Sequence, residues 1–231
     1  MASLTSLLLP LTPVPPTLYV LNASSIAKPH AAEQLSAELI GYNVDIGVIS
    51  ETHLKKKHAD SCVSINGYLL FRRDRIGRKC GGVAVYVLQS PAATVWSDVD
   101  LDSVYELLWV KVVHNNEITF VGAIYHPPKP IYQTSDLLDH IEEAVLRIQQ
   151  DFPGSHVILA GDLNTMPDSE VIIRTGLKSL VTQPTRGYSY LDRVYVSDQE
   201  YDDIKVVHSA VKNDRRAVVC YTGTKRRSHQ D

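Results

Sequence analysis

The chain has 231 residues, with 23 Lys and Arg against 26 Asp and Glu and a formal net charge of −3. Hydrophobic residues make up 44% and charged residues 21%, an ordinary balance that excludes a disordered or collagen-like chain and leaves ample sequence for one core. The mildly acidic total carries no global sign of a nucleic-acid binder, although a basic face and an acidic site can share one molecule.

Residues 1–16 read as a Pro-rich disordered leader. Leu7, Leu8 and Leu9 are apolar, but no Lys or Arg precedes them and Pro10, Pro13, Pro15 and Pro16 interrupt the segment. This is not the pattern of a secretion signal. Cys62, Cys80 and Cys220 are scattered and form no CxxC pair, which argues against a disulfide framework and for an intracellular setting, nucleus or cytoplasm. No apolar run approaches the ~18 residues of a membrane span.

Residues 17–222 read as one domain. Leu18–Leu21 is a short apolar run, expected as a buried strand. Leu35, Leu39 and Ile40 give 31–42 a helical spacing. Buried strands are expected at 45–50, 83–88, 107–113 and 118–125, with His114, Asn115 and Asn116 as a hairpin turn. Ser135 is placed to cap a helix from Asp136 to about Gln150, with Leu138, Ile141, Val145 and Ile148 on one face. Further strands are expected at 157–160, 194–197, 205–211 and 217–221. Many strands in hairpins with few helices predict two packed sheets with helices outside. Residues 223–231, with Lys225, Arg226 and Arg227, form a basic tail. His53 and His58 flank Lys55–Lys57 in a loop expected to be solvated. Arg72, Arg73, Arg75, Arg78 and Lys79 form a second basic cluster, expected as a loop able to grip a phosphate backbone.

Polar residues recur at the ends of the apolar runs. Asn22 follows LYVL and Glu51 follows DIGVIS. Tyr125 ends ITFVGAI, and Asp162 and Asn164 follow HVILA. Asp192 precedes RVYVS, and Asp214 precedes the last strand. Asp and Asn favour such positions for local backbone bonding alone. Several carboxylates at one edge are different, because they repel one another and a hard cation offsets that repulsion with oxygen ligands. There is no P-loop, HExxH, GxSxG or GxGxxG.

In order, the motifs are Leu21-Asn22-Ala23, Ser50-Glu51-Thr52-His53-Leu54, Arg72–Arg75 with Gly81-Gly82, and Glu106-Leu107-Leu108-Trp109. Tyr125-His126-Pro127-Pro128, Gly161-Asp162-Leu163-Asn164, Gln183-Pro184-Thr185, Leu191-Asp192-Arg193 and Asn213-Asp214-Arg215 follow. Together they resemble the exonuclease–endonuclease–phosphatase superfamily, which includes apurinic/apyrimidinic endonucleases, and within it the endonuclease domain of non-LTR retrotransposons. The resemblance runs from about Leu18 to Tyr221. It implies a DNase I-like four-layer α/β/β/α sandwich, two mixed sheets flanked by helices, and a metal-dependent phosphodiesterase that nicks DNA. It further implies that Glu51 binds Mg²⁺, or Mn²⁺ in its place, with support from Asn22. Asp162 would activate water, Asn164 would hold the phosphate, and Tyr125 would position it or aid proton transfer. Asp192 would orient a catalytic His, and Asp214 would be an acidic partner on the metal side. The implied partner is DNA, acted on by a monomer without a membrane, alongside a reverse transcriptase domain or chain not contained in this sequence.

One position departs from the family pattern. The motif Ser-Asp-His is here Asn213-Asp214-Arg215, so Arg215 stands where a catalytic His is expected. Arg stays protonated and only donates, whereas His exchanges protons near neutral pH. Arg215 is therefore expected to pair with Asp192 or steady charge on phosphorus, but not to relay a proton. This predicts an attenuated nuclease. The alternatives are a catalytically dead remnant serving as a binding module, and a phosphatase or lipid phosphodiesterase on the same fold. Cys80 is a lesser departure, occupying a place where the family often has another Gly.

Overall fold

The computed structural model describes residues 14–89, 92–97, 104–114, 116–211 and 214–222. Most of the Pro-rich leader, Asn115, Asn213 and the basic tail lie outside the described residues. The first sheet has six strands in the order β11-β12-β1-β2-β4-β3, and the second has six in the order β5-β6-β7-β8-β10-β9. The strands are β1 Leu18–Asn22, β2 Ile46–Ser50, β3 Tyr68–Arg73, β4 Val83–Leu88, β5 Ala93–Val95 and β6 Glu106–His114, then β7 Glu117–Tyr125, β8 His156–Asp162, β9 Lys178–Ser179, β10 Asp192–Val196, β11 Asp203–His208 and β12 Arg216–Tyr221. The helices are α1 Ala31–Gly41, α2 Thr134–Asp151 and α3 Asp168–Thr175. Both sheets are mixed: β1 pairs parallel to β2 and antiparallel to β12, and β8 pairs parallel to β7 and antiparallel to β10.

The unbroken apolar runs are explained by burial on both faces. In β1, Leu18 and Val20 join a core between the sheets with Val48, Val85, Val110, Ala123, Ala160, Val194 and Val218. Tyr19 and Leu21 face the other way and pack with Leu35 and Leu39 of α1. In β8, Ile158 and Ala160 face the inter-sheet core, while Val157 and Leu159 pack against Leu138, Ile141, Val145 and Ile148 of α2. Side chains alternate across a strand, so each central strand serves both cores. Helix, sheet, sheet and helix form the expected sandwich layers.

Some local expectations are corrected. Ser135 does not cap α2; the helix begins at Thr134 after an extended Gln133 that makes no side-chain capping bond, and the Ser135 hydroxyl donates to Asp136 Oδ1 at 3.1 Å. Ile40 is 58% exposed, because α1 buries Leu35 and Leu39 instead. Arg72 and Arg73 end strand β3 rather than lying in a loop. Cys80 sits in the left-handed region at φ +62°, the backbone state that favours glycine at such a position.

Candidate active site

The site is assembled by extending the inward-facing rows to one end of the sandwich. Counting by two along each strand, Val20 leads to Asn22, Ala123 to Tyr125, and Ala160 to Asp162; Val194 leads back to Asp192. Strand register then sets the polar ends side by side. Glu106 pairs with Tyr125, Tyr125 with Asp162, and Asp162 with Asp192 across four neighbouring strands. In the facing sheet Asn22 pairs with Ser50, and Glu51 follows directly.

The backbone around Asp162 is set by its neighbours. Gly161 has φ +143°, and a Cβ there would lie 1.9 Å from the Ile124 carbonyl oxygen, so only glycine permits this approach. After it, the Asn164 N–H donates to Asp162 Oδ1 at 3.0 Å, an Asx-type turn. Asn164 has φ +44°, which Asn tolerates better than most residues. Its Nδ2 donates to the His126 carbonyl at 2.8 Å. Glu51 also has positive φ, +50°, turning the chain out of β2 at the mouth of the site.

Asp162 and Asp192 are both 0% exposed, and Arg215 is 7% exposed. Arg215 lies between them, with Nη2 3.3 Å from Asp162 Oδ2 and Nη1 3.6 Å from Asp192 Oδ2. Asn22 Nδ2 also donates to Asp162 Oδ2, at 2.5 Å. Neither carboxylate oxygen of Asp192, nor Nη1 of Arg215, has a hydrogen bond. Burial pushes the Asp162 carboxyl above the usual range, against the pull of Arg215, Asn22 and the Asn164 N–H. Burial, then the Asp162 charge, pushes Asp192 up to about 7, with Arg215 opposing.

Toward the mouth, the Tyr125 hydroxyl donates to Glu51 Oε1. Burial and this bond raise the Tyr125 pKa far above that of a free phenol. Glu51 Oε2 lies 3.9 Å from His53 Nε2. The His53 imidazole is partly buried, and its pKa is lowered by burial despite Glu51. Asp214 carries a half-exposed carboxylate paired with Arg186 at 3.4 Å, outside the buried group.

Beside Tyr125, three residues that stand in the sequence motifs without an assigned role in the site, Glu106, Arg75 and Gly82, form a support. Glu106, 5% exposed, binds the Arg75 guanidinium through Nε at 2.7 Å and through Nη2, and accepts from the Gly82 N–H. Arg75 lies over the Tyr125 ring, 5.3 Å from its centroid. The readable signal was Glu106 itself, a charged residue opening an otherwise apolar strand. Thr185 is likewise buried, and its Oγ1 accepts the N–H groups of Leu191 and Asp192, each at 3.1 Å. His53 is turned toward Glu51 rather than lying solvated.

A divalent ion fits one part of this site. Mg²⁺ commonly keeps most of its water and takes one or two carboxylates together with substrate phosphate. Glu51 supplies an accessible carboxylate, and Asn22, in register with the preceding Ser50, supplies an amide oxygen that accepts the Ser24 N–H at 3.0 Å. Deeper in, Asp162 and Asp192 already face a cation. Among the described residues, no three His, Cys, Asp or Glu side chains are grouped as a metal-holding cluster.

Comparison with known proteins decides the family. The sequence matches the Endonuclease/Exonuclease/phosphatase family over residues 18–211. The chain belongs to the endonuclease/exonuclease/phosphatase family. Members of the family hydrolyse phosphate esters, generally with a divalent metal. No curated protein matches the sequence. Solved structures share the fold at low identity. The endonuclease domain of TRAS1, a telomere-specific non-LTR retrotransposon, is 16% identical with TM-score 0.65, covering 90% of this chain and 99% of that one. The AP endonuclease LMAP from Leishmania major is 14% identical with TM-score 0.71, covering 88% and 86%. A truncated Caenorhabditis elegans TDP2 is 16% identical with TM-score 0.63, covering 90% and 97%. Among the described residues, no helix is long and apolar enough to cross a membrane.

Proposed function

We propose that this endonuclease/exonuclease/phosphatase family member is a Mg²⁺-dependent phosphodiesterase that nicks DNA in the manner of a retrotransposon endonuclease, with cleavage attenuated by Arg215. The observation that carries the attenuation is the Arg215 guanidinium between Asp162 and Asp192. In this reading Glu51 and Asn22 hold the metal, which supplies charge stabilisation at the phosphoryl oxygens when bound. Asp214 acts as an outlying acidic partner on the metal side.

The chain's own groups then divide the remaining work. Asp162 is the carboxylate that would have to accept a proton from water. Asn164 presents an amide to a non-bridging oxygen. The Tyr125 hydroxyl, kept protonated by burial and by Glu51, would turn its one O–H from Glu51 Oε1 to the phosphate. Asp192 would orient a His in the following loop but here pairs with Arg215. Arg215 and Asn22 both draw on Asp162 Oδ2, and the Asn164 N–H takes Oδ1. That fully buried carboxylate is poorly placed to take a proton. The missing acid–base group alone is worth about 10²–10⁴-fold in rate.

The capping of Asp162 also favours a second reading, in which the domain binds DNA without cutting it. In either case DNA is the partner, the chain acts as an intracellular monomer, and a reverse transcriptase domain or chain acts with it. The test is nicking of supercoiled plasmid by the purified chain with Mg²⁺ and with EDTA, against Glu51→Gln. Slow, Mg²⁺-dependent nicking lost in Glu51→Gln supports the first reading. Retention of the plasmid in a gel shift without any nicking supports the second. Hydrolysis of inositol phosphates or sphingomyelin without DNA nicking or binding overturns both.

A further inference from the structure

We infer that Arg215 is the resident cation of the carboxylate cluster, so that this chain takes a divalent ion only at Glu51 with Asn22 Oδ1, and takes it weakly. The inference rests on the metal-dependent reading above and sharpens which residues a metal can reach.

Two fully buried carboxylates on adjacent strands, Asp162 and Asp192 in direct register, require a counter-charge in a low-dielectric setting. A divalent ion is one way to supply it. Here a side chain of the chain itself does so, reaching both acids from the loop before β12. The acceptor positions of Asp162 are taken as well. Asp162 Oδ1 accepts the Asn164 N–H, and Oδ2 accepts Asn22 Nδ2 while facing Arg215 Nη2. Asp192 makes no hydrogen bond with either oxygen. Its facing counter-charge is Arg215, a role that a permanent cation fills without a metal. Arg215 cannot discharge to make way for another cation, because a guanidinium stays protonated in proteins.

What remains for a metal is at the mouth. Glu51 gives Oε1 to Tyr125 and keeps Oε2, 3.9 Å from His53. Asn22 donates to the same Asp162 Oδ2 that Arg215 Nη2 faces, so an ion held by Glu51 and Asn22 Oδ1 meets a fixed positive charge across Asp162 and binds less tightly than it would without that charge. Changes to groups that support a metal site typically move affinity about 10–100-fold, and replacing Arg215 by a group able to be neutral is expected to fall in that range.

The experiment is calorimetric titration of Mn²⁺ into the chelator-stripped full chain, comparing wild type, Arg215→His, Glu51→Gln and the double variant, with circular dichroism on each to check folding. The expected result is weak binding in wild type and binding about 10–100-fold tighter in Arg215→His. Glu51→Gln is expected to abolish binding in the wild-type background. Equal affinity in wild type and Arg215→His would overturn the inference. So would binding that survives Glu51→Gln, a measurement that needs no Arg215 variant and decides the matter if Arg215→His does not fold. Robust nicking with equal metal affinities would sink this inference alone, whereas tightened metal binding with no DNA cleavage by either protein would count against the nuclease reading alone.

Discussion

Replacing Arg215 by Met keeps much of the side-chain length and removes the charge from between Asp162 and Asp192. Both acids are 0% exposed, with the guanidinium 3.3 Å and 3.6 Å away. Deleting one partner of a buried ion pair costs about 3–5 kcal/mol, because the other charge is left uncompensated. Asp192, already pushed up to about 7, relieves part of this by taking up a proton. The cost is therefore largest at pH 8 and smaller at pH 5. For a domain of this size, each kcal/mol is worth about 2–4 °C in Tm. Arg215→Met is thus expected to lower Tm by roughly 6–20 °C at pH 8, to lose less at pH 5, and to be partly rescued by Asp192→Asn. The assay is thermal unfolding followed by circular dichroism at the two pH values for wild type, the single variant and the double variant. A Tm at pH 8 within about 2 °C of wild type, less than the shift of 1 kcal/mol, would refute the reasoning. It would mean that the guanidinium neutralises nothing that the fold depends on.

Other outcomes follow from the same geometry. Gly161→Ala forces a Cβ to within 1.9 Å of a backbone carbonyl, and is expected to cost more than about 3 kcal/mol, measured as a shift in urea midpoint at unchanged m. Glu106→Ala strands Arg75 and the Gly82 N–H; about 3 kcal/mol of stability should go, with Tyr125 less well fixed, read from unfolding and from Tyr125 resonances. In the wild type, Asp162 and Asp192 have folded pKa values above their unfolded ones. Their contribution is present at low pH and is lost as pH rises from about 4 to about 7. Asp192→Asn should therefore gain stability relative to wild type between pH 5 and pH 8; no change in that difference would show that Asp192 is ionised throughout.

Much of the sandwich was legible because its central strands are unbroken apolar runs. Leu18–Leu21 and Val83–Val87 bury both faces and leave little ambiguity. Strand β3 was missed because Tyr68–Phe71 runs straight into Arg72 and Arg73, and the charge reads as loop. In the fold that charge is absorbed locally. Arg72 Nη1 lies 3.1 Å from Asp60, and Arg72 Nη2 donates to the His58 carbonyl at 2.8 Å. Helix α3 is short, buries Val171 and Thr175, and leaves Ile173 76% exposed, so its apolar face is hardly periodic. The site residues were visible as polar stops on apolar strands, and strand alternation carries Asn22, Tyr125, Asp162 and Asp192 to one seam. Of their partners, Arg215 beside Asp192 was expected from the last motif, and the others were not visible. That Arg215 reaches two acids, or that Glu106 braces Arg75 over Tyr125, depends on register between strands far apart in sequence, and no local pattern encodes it.

The central claim is that an intact phosphodiesterase fold is held back by a guanidinium at the position of a proton carrier. The direct measurement is the rate of Mg²⁺-dependent plasmid nicking by the wild-type chain and by Arg215→His, prepared identically. The account predicts that restoring His raises the rate by about 10²-fold or more, and that Glu51→Gln in the Arg215→His background removes the gain. Equal and robust rates in the two proteins would contradict it.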